Sequence, residues 1–260
     1  MRLMKLFVIS AAMCCAAGIG CSIKEDRSEC PCRLVLDLSR VSLCGDDSLE
    51  LAVVSDAGVV CAEKVDSASL GKNVVLDVPR VSLGLMACCG GEGMTGMEGL
   101  VIPMGSSCPE IYTYVSEIEA DAEVVCDTLM MRKNHCVVSI AFKYQPDDEV
   151  RLTVRGNVCG YDLAAKPVVG AFMAYAVSSS DGDLPSVVLP RQCGGELFLD
   201  VCDSKGRSKT LILSRYIDAS GYDWNAPDLK DMKITIDMVH TTISLKVTGW
   251  DEEFFFDVVI

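Results

Sequence analysis

Residues 232–250, MKITIDMVHTTISLKVTGW, decide the fold class. Met232, Ile234 and Ile236 alternate with Lys233, Thr235 and Asp237, and the alternation resumes with Ile243, Leu245 and Val247 against Ser244 and Lys246. A period of two sends successive side chains to opposite faces of an extended chain, so each run reads as a half-buried strand and the pair as a hairpin. The same period runs through RLVLDLS (33–39), NVVLDV (73–78), EVRLTVRG (149–156) and GELFLDV (195–201). Turn chemistry separates these runs, as at Gly45-Asp46-Asp47, Pro146-Asp147-Asp148, Asp181-Gly182-Asp183 and Cys193-Gly194-Gly195. No stretch combines a helical period with start and stop signals. The sequence therefore predicts an all-β chain in which pairs of sheets bury their apolar faces against each other as β-sandwiches.

A first series of strands closes around Ile111–Val115 and Glu123–Met131, and a second opens at HCVVSIAFKY (135–144). The expected division is an N-terminal sandwich over 33–130 and a C-terminal sandwich over 131–260. No close internal sequence repeat is visible, so any similarity between the halves would be architectural.

The start of the chain has a different character. Arg2 and Lys5 precede an apolar run from Leu6 to Ala17, followed by AAGIGCSIKEDRSECPC (16–32). Residues 1–20 read as a signal peptide, too short for a comfortable permanent span. Small residues before Cys21 and the abrupt polar switch after it resemble a bacterial lipobox, in which the thiol is alkylated and becomes the first residue of the mature chain. Cys14 and Cys15 are poorer candidates, because Met13 and Cys14 precede them and apolar sequence follows. Simple secretion is the alternative. Each buried methylene of an acyl chain contributes about 0.8 kcal/mol, so more than one chain gives stable attachment without a span. Residues 21–32 then form a lipidated tether. Its Lys24-Glu25-Asp26 reads either as a surface-export signal or as a solvated linker.

Removing Arg2 and Lys5 from the 23 Lys plus Arg leaves 21 against 37 Asp plus Glu, a net charge of −16. Nucleic acid is a poor partner for so acidic a surface. The chain has fifteen cysteines; without Cys14, Cys15 and Cys21 the count is even, which in an exported protein suggests disulfides. Against that, Cys61, Cys136, Cys159 and Cys202 sit in strand-like apolar runs where a thiol serves as a small core residue. Cys30-x-Cys32 and Cys88-Cys89 match neither a redox nor a zinc spacing.

Catalytic motifs are absent from the sequence: no nucleophile elbow, H-E-x-x-H, phosphate loop or dinucleotide fingerprint. The two histidines, His135 and His240, fall before a strand and in a turn, where structural roles are expected. GGEGMTGMEG (90–99) reads as a flexible loop. Asp147-Asp148 and Glu252-Glu253 read as solvated charge. Neither a catalytic residue nor a metal ligand is assigned, and no cofactor is expected. Tyr222 and Trp224 in SGYDWNAPDL either contact a partner or glycan or, as the flanking turn residues favour, pack over a sheet edge.

The segment Cys21 to Ser39, with Cys30-Pro31 before the first strand, and the pair SGYDWNAPDLKDMKITIDM (220–238) and GWDEEFFFDVVI (249–260) resemble the FimB family of fimbrial anchor lipoproteins of type V pili. The cysteine load and Gly18 at the lipobox depart from the pattern. The resemblance implies two transthyretin-like, Greek-key β-sandwich domains in tandem and a non-enzymatic role. Cys21 would carry lipid at the cell outer membrane, facing outward at the fimbrium base. The partners implied are fimbrial shaft or accessory subunits, with the anchor limiting fibre length. A surface adhesin, a carbohydrate-binding module or a tip subunit is the alternative. Phe254–Ile260 reads as a closing strand of its own sandwich ahead of a donated strand.

Overall fold

The computed structural model describes residues 30–41, 48–66, 69–91, 99–144, 149–178, 183–240 and 242–257. The signal peptide and Cys21 lie outside the described residues. Eighteen strands and one short helix are described. The chain is all-β, as the period-two runs predict.

The first half contributes β1 (Cys32–Asp37), β2 (Leu49–Ser55), β3 (Gly58–Val65), β4 (Asn73–Val78), β5 (Ser82–Cys89), β6 (Leu100–Val101), β7 (Tyr112–Glu119), β8 (Val124–Thr128) and β9 (Arg132–Lys133). Two sheets result, ordered β4-β1-β8 and β3-β2-β5-β7-β9. Leu34 and Leu36 of β1 and Leu76 and Val78 of β4 meet Leu49, Leu51 and Leu85 from the other sheet in one buried cluster. These are the alternate residues of each strand, so the periodicity read from sequence is the inward face of the sandwich.

The second half contributes β10 (His135–Phe142), β11 (Val150–Tyr161), β12 (Pro167–Tyr175), β13 (Ser186–Pro190), β14 (Phe198–Asp203), β15 (Ser208–Ile212), α1 (Leu213–Ala219), β16 (Met232–Asp237), β17 (Thr242–Val247) and β18 (Glu253–Asp257). Its sheets are ordered β13-β10-β16-β17-β18 and β12-β11-β14-β15. Their inner faces share a second cluster around Val138, Ile140, Val154, Leu199, Ile234 and Leu245.

The two sandwiches have the same wiring. β1 lies between antiparallel β4 and parallel β8, as β10 lies between antiparallel β13 and parallel β16. The antiparallel order β3-β2-β5-β7 is repeated as β12-β11-β14-β15. The similarity between halves is thus architectural, carried by topology without a sequence repeat.

The halves are stitched together beyond a simple succession. Between β5 and β7 the chain leaves the first sandwich and lies on the second: β6 pairs with Gly160 and Tyr161 of β11, Ile102 donates to the Cys159 carbonyl at 2.8 Å, and Gly105 donates to the Met173 carbonyl at 2.7 Å. Ile102, Cys108 and Ile111, with Met86 and Cys88 from the outer face of β5, belong to the second apolar cluster. A side-chain network closes the junction. The Tyr161 hydroxyl donates to the Asn134 carbonyl at 2.5 Å and accepts from the Arg191 backbone N–H at 2.6 Å. Arg191 Nε donates to Asn134 Oδ1 at 2.7 Å, and its Nη1 donates to the Trp224 and Ala226 carbonyls.

The β16–β17 turn rests on Asp237, whose carboxylate accepts from the backbone N–H of Val239 and His240, from His240 Nδ1 and from Lys143 Nζ. These donors hold the Asp237 carboxyl well below its ordinary value of 3.8, despite the opposing effect of burial. A depressed carboxyl stabilises the fold above its unfolded pKa, and the contribution fades as pH falls through the folded one. Asp237→Asn is accordingly expected to lower the melting temperature at neutral pH. The gap to the parent should narrow below about pH 4 and close only in strong acid, which melting curves across that range would show.

Candidate functional site

Among the described residues, the two histidines are not brought together with each other or with a cluster of carboxylates or thiols. His135 is buried at the start of β10, donates Nδ1–H to the Ile111 carbonyl at 2.9 Å and meets Tyr112 edge-on at 5.3 Å between ring centroids. Burial lowers its pKa, which keeps the imidazole neutral. His240 is an exposed turn residue on Asp237. Since β10 pairs with β16 from Val138↔Met232 to Phe142↔Ile236, the two histidines sit at opposite ends of one sheet. Among the described residues no three His, Cys, Asp or Glu converge as metal ligands.

None of the eleven described cysteines is in a disulfide, where the even count of twelve suggested pairing; the twelfth, Cys44, lies outside the described residues. Five of them, Cys32, Cys88, Cys89, Cys108 and Cys136, are buried and fill core volume. Desolvation pushes the Cys88, Cys108 and Cys136 thiols up to about 12, so they are inert as nucleophiles. Tyr222 is also buried, with its hydroxyl donating to the Lys230 carbonyl at 2.6 Å and its ring edge-on to Trp224. This pair packs over the second sandwich, as its turn residues suggested.

The feature left unexplained by folding is an asymmetry between the sandwiches. In the second, the strand equivalent to β8 is β16, and it is followed on its far side by β17 and β18. β17 brings Ile243, Leu245 and Val247 into the core, while Phe256 of β18 packs on Tyr216 of α1 at 5.5 Å. β18 is therefore a closing strand of its own sandwich. In the first sandwich, β8 has no neighbour on its far side among the described residues.

On that open side polar contacts join the two sheets beside Val125, which packs against the core cluster. Asp127 of β8 accepts hydrogen bonds from the Tyr114 hydroxyl at 3.0 Å and from Ser116 Oγ at 2.8 Å, both reaching from β7 in the facing sheet. Val124 and Cys126 stand exposed on the outer face of the same strand. An unpaired edge presents a row of backbone donors and acceptors, which is a template for one more strand. The edge residues were within reach of sequence reading, since VVCDT lies in the run 123–131. Their lack of a neighbour was not, because pairing is a property of the whole sheet.

Around the corner, Thr113, Val115, Met130, Arg132, Asn134 and Arg191 line a cleft of about 380 Å³ between the sandwiches. A second cavity of about 470 Å³ opens beside Arg151, Tyr175 and Asp203. Neither histidine lines either cavity. No helix among the described residues is long and apolar enough to cross a membrane.

No family model and no curated protein matches the sequence. Solved structures do match in fold. The fimbrial anchor protein Mfa2 from Porphyromonas gingivalis superposes with a TM-score of 0.60 at 13% identity, covering 85% of this chain and 98% of that one. A candidate adhesin from Bacteroides thetaiotaomicron gives 0.59 at 12% identity over 88% and 99% of the two chains. Another from Bacteroides ovatus gives 0.58 at 12% over 90% and 97%. These likenesses establish the fold. At such identities they carry the tandem sandwich architecture and leave function to be argued from the chain itself.

Proposed function

We propose that this chain is a non-enzymatic cell-surface subunit of a fimbrial assembly, held at the outer membrane by lipid on Cys21, and that it anchors the fibre and limits its length. The reading unites the lipobox-like sequence before Cys21 with the resemblance to FimB-type anchors. It is supported by a fold shared with a fimbrial anchor protein and with candidate adhesins. The division into modules at 33–130 and 131–260 belongs to the same proposal.

The observation that carries it is the unextended edge of β8. Where the second sandwich supplies its own strand with Ile243, Leu245 and Val247 facing inward, the first supplies none among the described residues. An extended segment of a fimbrial subunit with alternating apolar residues would continue the sheet through main-chain hydrogen bonds and set its side chains along Val125 and Tyr114. An adhesin reading through an aromatic glycan platform is less favoured, because Tyr222 is buried and Trp224 packs against the core cluster.

The expected result is that Cys21→Ser cells release intact fibres, with this chain attached, into the medium. Immunoblots of cell and medium fractions would show it. Fibres that stay cell-bound with the variant, or that are released without the chain, would overturn the anchor reading.

A further inference from the structure

The open edge of β8 carries one residue out of keeping with its place. Inward side chains recur at every second position, as Val125, Asp127 and, just past the strand, Leu129. Val125 packs against the first apolar cluster, Leu129 is fully buried in it, and Asp127 between them meets Tyr114 and Ser116 of the facing sheet. A carboxylate thus interrupts an apolar row. Its hydrogen bonds come from neutral donors, the Tyr114 and Ser116 hydroxyls and the Thr128 N–H, and among the described residues it is in no ion pair. Around it, the stretch 112–131 holds Glu117, Glu119, Asp121, Glu123 and Asp127 and neither Lys nor Arg.

The second sandwich shows what such an edge asks of the strand laid on it. Met232, Ile234 and Ile236 of β16 lie opposite Val247, Leu245 and Ile243 of β17, so an apolar row is met by an apolar row, pair by pair. Directly opposite side chains on one face of a sheet start about 5 Å apart, so a strand laid along β8 sets one inward side chain against the Asp127 carboxylate. An apolar side chain there would strip water from the carboxylate and return no hydrogen bond, which is strongly unfavourable. An acidic one would add like charge. Lysine or arginine replaces the lost water with a charge-assisted hydrogen bond.

We propose that the strand received at the β8 edge carries a Lys or Arg facing Asp127, two residues from the apolar side chain that faces Val125. The inference rests on the reading that β8 receives a strand, and it gives the partner a recognisable chemistry: apolar at one inward position, cationic at the next. The pattern is the same for a parallel and an antiparallel strand, because inward positions are spaced by two in either direction.

Synthetic peptides test it on the purified mature chain. The probe is Thr-Val-Thr-Val-Thr-Lys-Thr-Val-Thr-Val-Thr, which places Lys among inward Val residues and reads alike in both directions. One control replaces the Lys by Leu. The other exchanges the Lys with an adjacent Thr, which keeps composition and charge and so removes any general attraction to an acidic protein. By fluorescence anisotropy the probe is expected to bind roughly tenfold more tightly than either control, as befits one hydrogen bond between charged groups. It should also slow hydrogen exchange at the β8 amides. In Asp127→Asn the three affinities should come within about twofold of one another. Equal binding of probe and exchanged control to the parent chain, or a preference that survives in Asp127→Asn, would overturn the proposal. If the peptides bind equally and still protect the β8 amides, only the cation is struck and strand acceptance stands. If no peptide protects β8, strand acceptance falls as well. The comparison on the parent chain decides the matter even if Asp127→Asn does not fold.

Discussion

Gly99→Ala is expected to destabilise the chain by about 3 kcal/mol, adding the cost of a left-handed backbone to that of a backbone collision. Gly99 sits at φ +73, and a Cβ there would lie 2.2 Å from the Tyr161 carbonyl oxygen. That carbonyl is part of β11 where β6 joins it. Gly160 is the other side of the same approach, with its hypothetical Cβ 1.9 Å from the Leu100 carbonyl oxygen. Neither backbone can yield without separating β6 from β11, and with it the segment that stitches one sandwich to the other. Gly206 is the control: its φ of +79 is similar, but nothing lies within 4 Å. Gly206→Ala should therefore cost only about 1 kcal/mol, the conformational part alone. Urea denaturation of the three chains separates the two contributions. Equal losses at Gly99 and Gly206 would mean that the close approach carries no weight.

Tyr161→Phe is the second large effect, expected at about 2–4 kcal/mol, for the loss of a single oxygen atom. Tyr161 is completely buried, and its hydroxyl both donates to the Asn134 carbonyl and accepts from the Arg191 N–H. Burial holds this hydroxyl well above the ordinary phenol range, so it remains a protonated donor across working pH. The phenylalanine variant keeps the ring and leaves two buried backbone groups without partners, which costs about 1–3 kcal/mol each. Tyr175, on the exposed face of β12, supplies the contrast. Its phenylalanine variant should stay within about 0.5 kcal/mol of the parent. If thermal melts showed the two variants alike, the junction network would not be holding the halves together.

Much of the fold is legible in the sequence for a simple physical reason. Where one face of a strand is buried, the apolar residues must recur at every second position, as Met232, Ile234 and Ile236 do. β6 and β9 leave no such trace, because two residues are too few to define a period. The helix α1 escapes for a related reason: its buried Leu213, Tyr216 and Ile217 follow helical spacing, but over seven residues only. GGEGMTGMEG reads as loop, yet its last glycine is fixed by a contact with a strand of the other sandwich, which no local pattern records. The cysteines are legible in part: Cys136 is a core residue, as its apolar run indicates, whereas Cys61, Cys159 and Cys202, read the same way, are only partly buried, because the run alone does not say which face of the strand is covered. The open β8 edge is hidden for the most general reason. It is defined by the lack of a neighbour among the described residues, a property of the whole sheet that no local pattern carries.

The position of β1 also decides how the first sandwich answers a pull. β1 is the middle strand of its sheet, with six register pairs to β4 and five to β8. Tension applied through the residues before Cys32 runs along the strand axis, so both ladders are loaded in shear and their bonds must yield together instead of unzipping one by one. Because the chain also passes from the first sandwich to the second and back before β7, drag on either module is shared by several backbone crossings. A molecule wired in this way resists extraction by mechanical force to a degree that its equilibrium stability alone would not foretell.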